Sequence, residues 1–86
     1  MKIRSINSRN LSRLNNAFID YLLDNGVGFH EIGLADAGEK LALIFKRDDE
    51  INVFKFSKET CIGYEPAAIA ESIIKPMLNH LKGKED

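Results

Sequence analysis

Three features of this 86-residue chain have chemistry to offer. His30 carries an imidazole suited to acid–base work near neutral pH. Cys61, the only cysteine, follows Lys58 and precedes a helical pattern, and both would raise its thiolate fraction. Asp48-Asp49-Glu50 is acidic enough to draw a hard cation. None of the three is completed by its surroundings. On a strand beside Ile32 and Ile44, His30 has Lys46 or Lys55 for company, while Glu31 points the opposite way, so it reads as a packing or interface histidine. One cysteine and two distant histidines supply neither a nucleophile–base–orienter set nor the three or four converging ligands of a metal site. The acidic run lacks the alternating oxygens and closing glutamate of a calcium loop, and it reads as a solvated turn. Gly26-Val27-Gly28 lacks the lysine and following helix of a phosphate loop. The expectation is a protein that is not an enzyme, with no catalytic residue, cofactor or metal.

Charge is the fourth chemical resource. The net formal charge of −1 and pI near 6.1 create no overall field for phosphate backbones or anionic membranes. The distribution is uneven: residues 1–19 hold Lys2, Arg4, Arg9 and Arg13 with no acid, which leaves 8 bases against 13 acids in the remainder. Arg4, Arg9 and Arg13 are therefore the candidate nucleic-acid contacts. A lone cysteine forms no intrachain disulfide, and the N-terminus has no apolar signal core. A cytoplasmic protein without a membrane partner is expected.

The elements that would position these groups centre on two apolar runs, Leu41–Phe45 and Ile51–Phe56, joined by residues 47–50. They read as a β-hairpin. Pairing Lys46 with Ile51, Ile44 with Val53 and Leu43 with Phe54 puts Leu41, Leu43, Phe45, Phe54 and Phe56 on one face. Ala42, Ile44, Ile51 and Val53 fall on the other, between Lys46 and Lys55. Residues 27–34 read as the preceding strand. A five-residue loop, 35–39, would set Leu34 opposite Lys40, Ile32 opposite Ala42 and Phe29 opposite Phe45, adding His30, Ile32 and Leu34 to the second face.

Leu11, Leu14, Ala17, Phe18, Tyr21 and Leu22 recur at helical spacing, so a helix over about residues 9–25 is predicted. Asn7, Ser8 or Asn10 would cap its start, and Gly26 would end it. Residues 2–6 form an arm or short edge strand. After a connector at 57–63, Glu65-Pro66 opens a second helix with Ile69, Ile73, Ile74, Met77, Leu78 and Leu81 on its apolar side. Pro76 is expected to kink or break it, leaving a short final turn at 77–82 and a polar, flexible tail at 83–86. The predicted fold is a single α+β domain over residues 1–86, a two-layer α/β sandwich in the order α-β-β-β-α with a three-stranded antiparallel sheet. The expected core is Leu14, Phe18, Leu22, Phe29, Leu43, Phe45, Phe54, Ile69, Ile73 and Met77.

That element order resembles the double-stranded-RNA-binding domain over residues 9–82, in topology. The resemblance implies RNA contacts from helix one, from the first strand loop and from a lysine-rich start of the last helix. Helix one offers Arg9 and Arg13. The 35–39 loop is acidic, and Gly63-Tyr64-Glu65-Pro66-Ala67 stands where the lysines belong, with Lys58 nearby. The stronger expectation comes from the sheet, whose two apolar faces each need a cover. The two helices can cover one face each or share one. If they share one, the chain is a protein-interaction module whose partner is itself, as a homodimer, or another protein, through Ile32, Leu34, Ala42, Ile44, Ile51 and Val53. Nucleic-acid binding is the alternative.

Overall fold

The computed structural model describes the backbone of residues 1–84 and the side chains of residues 1–79. Helix α1 (Ser8–Asp24) is followed by strands β1 (Glu31–Ala37), β2 (Lys40–Arg47) and β3 (Glu50–Ser57). A 3₁₀ turn (Lys58–Cys61) then leads to helix α2 (Pro66–Lys84). The strands form one antiparallel sheet in the order β1-β2-β3, so the fold is α+β in the order α-β-β-β-α.

Helix α1 starts where Asn7 Oδ1 accepts the Asn10 backbone N–H at 2.9 Å, one of the orphan donors of the first turn. Its end is a Schellman motif. Gly26, at φ 74°, donates to the Leu23 carbonyl at 3.0 Å, and Val27 donates to the Leu22 carbonyl at 2.9 Å. Val27 and Leu22 are both buried, the apolar contact that accompanies this motif. Val27 thus completes the helix instead of opening a strand, which is why β1 begins four residues later than the sequence pattern suggests.

The β2–β3 register is the expected one, with Lys46 opposite Ile51, Ile44 opposite Val53 and Leu43 opposite Phe54. The two-residue turn between them puts Asp48 at φ 56°, a region aspartate enters more readily than most residues. The β1–β2 register corrects the expectation. Ala37 pairs with Lys40 across a turn of Gly38 and Glu39, so Leu34 faces Leu43 and Ile32 faces Phe45. Gly38 at φ 76° makes so tight a turn possible, and Asp36 Oδ1 accepts its N–H at 3.1 Å. Relative to the expected loop the pairing moves by three residues. An odd shift turns a strand over, so Ile32 and Leu34 lie on the Leu43–Phe45 face, and Gly33 and Ala35 take their places beside Ile44 and Ala42.

Both helices serve that first face. Leu14, Phe18 and Leu22 of α1 join Ile69, Ile74, Met77 and Leu78 of α2 over Leu41, Leu43, Phe45 and Phe56. Phe18 meets Phe56 edge to face with centroids 5.8 Å apart, and Phe45 stacks with Phe54 at 6.1 Å. Phe29, Phe54 and Ile73 are partly buried against this core. Helix α2 runs through Pro76 without the expected break. Pro76 and Ser72 are both exposed, so water can reach the carbonyl that the proline leaves unpaired, while Ile74, Met77 and Leu78 bury on the opposite side. The helix reaches Lys84, into the segment expected as a tail; residues 85–86 and the Leu81 side chain lie outside the described residues. Residues 1–6 form an arm. Its Ile3 is fully buried and exchanges backbone bonds with the connector, donating to the Tyr64 carbonyl at 2.7 Å and accepting from Gly63 N–H at 2.8 Å.

Candidate interaction surface

The groups with intrinsic chemistry are placed apart. His30 lies ahead of β1, not among the isoleucines, and is exposed; its backbone N–H donates to the Lys46 carbonyl at 2.8 Å. Cys61 is fully buried in the core, and desolvation pushes its thiol pKa up, against a smaller opposing effect of the Thr60 hydroxyl. That is the environment of an unreactive thiol. A cleft of about 710 Å³ between the 3₁₀ turn and α2 is lined in part by Ser57, Glu59, Thr60 and Tyr64. Two of its hydroxyls are spent on the turn itself: Ser57 Oγ accepts from Glu59 N–H at 3.3 Å and Thr60 Oγ1 donates to the Ser57 carbonyl at 2.6 Å. Among the described residues no three His, Cys, Asp or Glu side chains converge on a point where a metal ion would sit.

The basic strip is only partly available. Arg13 is half-buried, with its guanidinium donating to the Met1 carbonyl at 2.6 Å and to Asn10 Oδ1 at 3.1 Å, so it holds the arm against α1. Arg4 and Arg9 are exposed. Lys58 donates to Asp36 Oδ1 at 2.8 Å, and that hydrogen bond holds the Asp36 carboxyl below its ordinary value. The lysine nearest to the α2 start is therefore committed to the β1–β2 turn.

What stands open is the sheet face that neither helix covers. The ladder assigns to it Glu31, Gly33 and Ala35 from β1, Ala42, Ile44 and Lys46 from β2, and Ile51, Val53 and Lys55 from β3. The face is uneven. Along β1 the side chains are small, leaving a shallow groove over Gly33 and Ala35 bordered by Ile44 and Lys46. Along β3, Ile51 and Val53 project with 65% and 50% of their surface exposed. Lys46 and Glu31 form an exposed ion pair at 3.2 Å at one end, worth little to stability. Of the six residues expected at an interface, Ala42, Ile44, Ile51 and Val53 share this face; Ile32 and Leu34 pack against the core instead. Residues 33 and 35 were missed because glycine and alanine carry no apolar signal of their own, and only the tight turn at Gly38 would have revealed their side.

Among the described residues no helix is long and apolar enough to cross a membrane. The likeness to the double-stranded-RNA-binding domain rests on element order alone, since no protein-family model, curated protein or solved structure matches this chain.

Proposed function

We propose that this protein is a non-enzymatic interaction module that associates with a second copy of itself through β3, at the exposed side of the open sheet face. The observation that carries the reading is the pair Ile51 and Val53, adjacent along one side of β3 and exposed at 65% and 50% on a face without a helix. Isolated exposed apolar residues need no explanation, but two in register beside Ile44, on a strand with one side unpaired, form a continuous strip. Full burial of such side chains is worth about 1.5–3 kcal/mol each. Four of them in a dimer compete with an association cost of about 4–15 kcal/mol, so a weak, concentration-dependent dimer is the expected state.

The test is solution mass by light scattering across a concentration series, for the native chain and for Val53→Glu. Mass should rise toward twice the monomer at high micromolar concentration. Val53→Glu should stay monomeric with an unchanged circular dichroism spectrum, because an interfacial charge without a partner cannot be desolvated cheaply. A native chain that remains a monomer throughout overturns the proposal.

A further inference from the structure

The two edges of the sheet are built differently. β1 contains Gly33, Ala35, Asp36 and Ala37, poor strand formers, whereas β3 reads Glu-Ile-Asn-Val-Phe-Lys-Phe-Ser, free of glycine and proline. A regular apolar edge without a proline or a bulge is a template for another strand. Resting on the homodimer reading, we infer that two copies pair β3 with β3 antiparallel about a two-fold axis through Asn52, so that their sheets join into one.

Antiparallel pairing keeps outer side chains opposite outer ones, so odd-numbered residues of β3 face odd and even face even. Few centres remain, and two observations favour Asn52. Within β3 it sets Glu50 opposite the partner's Phe54, its one polar–apolar mismatch, and Ile51 opposite the partner's Val53 on both sides of the axis, bringing into lateral contact the two most exposed large apolar side chains of the sheet. It also carries Lys55, which is exposed and in no ion pair among the described residues, opposite the partner's Asp49 in the acidic turn. Centring on Val53 instead would oppose Ile51 to the partner's Lys55, Glu50 to Phe56 and Asn52 to Phe54. Centring on Phe54 would oppose Val53 to the partner's Lys55. Centring on Ile51 would confine the pairing within β3 to residues 50–52.

Facing residues of an antiparallel pair have Cα atoms about 4.5–5.5 Å apart, inside the range a disulfide spans. Full-length Asn52→Cys, oxidised with diamide and run on a non-reducing gel, should therefore become mainly a covalent dimer. The native chain, with Cys61 buried, and Ile44→Cys, one strand in from the edge, should remain uncrosslinked. A mixture of Ile51→Cys with Val53→Cys should give several-fold more covalent dimer than either variant alone, an independent readout should Asn52→Cys fold poorly. A native chain of dimer mass in which Ile44→Cys crosslinks, or in which the mixture gives no gain, overturns the edge pairing and leaves the homodimer standing. A monomeric native chain overturns both.

Discussion

One strand, β2, serves two faces with opposite fates. Leu41, Leu43 and Phe45 are fully buried beneath both helices, while Ile44, between Leu43 and Phe45, is only half-buried and looks across to Val53, exposed at 50%. The residue types on the two sides are similarly apolar. What separates core from surface here is the supply of covers: both helices lie on one face, so the other is apolar without being interior. Hydrophobicity along a strand thus reports that a face can be buried, and topology decides by what.

The largest expected effect lies on the helix side. Leu43→Ala should cost about 2–5 kcal/mol in denaturant unfolding, because the cavity left under two helices adds to the lost transfer energy. The equivalent truncation on the other face, Ile44→Ala, should cost about 1 kcal/mol or less when measured on the monomer at low concentration. Equal losses at the two positions would abolish the contrast between the faces.

A gain is expected at Gly33. A Cβ added there meets nothing within 4 Å, and its backbone does not require a positive φ. Gly33→Val should therefore leave the fold intact and raise stability by up to about 1 kcal/mol, since valine suits a strand and glycine does not. Destabilisation there would mean that the open face is covered by something close to β1. The smallest effect concerns the turn that fixes the β1 register. Asp36 has its carboxyl pKa lowered from 3.8 by the Lys58 hydrogen bond, so the pair's contribution is complete above that value and lost as pH falls through the lower folded one. Asp36→Asn should therefore lower the Tm slightly at neutral pH, and the difference from the native chain should vanish in strong acid.

The pattern of what was readable follows from the range of the interactions. The β2–β3 hairpin was legible because its register depends on one acidic turn flanked by two apolar runs. The β1 register was not. Asp36 to Glu39 looks like a loop by composition, and it is held as a strand end by Asp36 bonding both to Gly38 nearby and to Lys58, 22 residues away. Val27 has the type of a strand residue, and its role in closing α1 appears only once Gly26 is known to be left-handed. Ile3 is buried by contacts with residues some sixty positions later, and its own neighbourhood alternates too weakly to show it. Of the interaction surface, the β2 and β3 members were legible with their hairpin, whereas the β1 side inherited the error in register.

The burial of Cys61 gives this molecule a clock. A thiol with no exposed surface and a raised pKa is shielded from alkylating reagents while the core is closed, so it should react only in molecules that have opened around the 3₁₀ turn. The turn connects β3 to α2, and Gly63 and Tyr64 just beyond it clasp the arm through Ile3. The rate at which Cys61 becomes labelled would therefore count how often the strand proposed as the seam comes loose from the helix behind it. If pairing along β3 holds that end of the sheet, labelling should slow as protein concentration rises, with no change in the fold of any single chain.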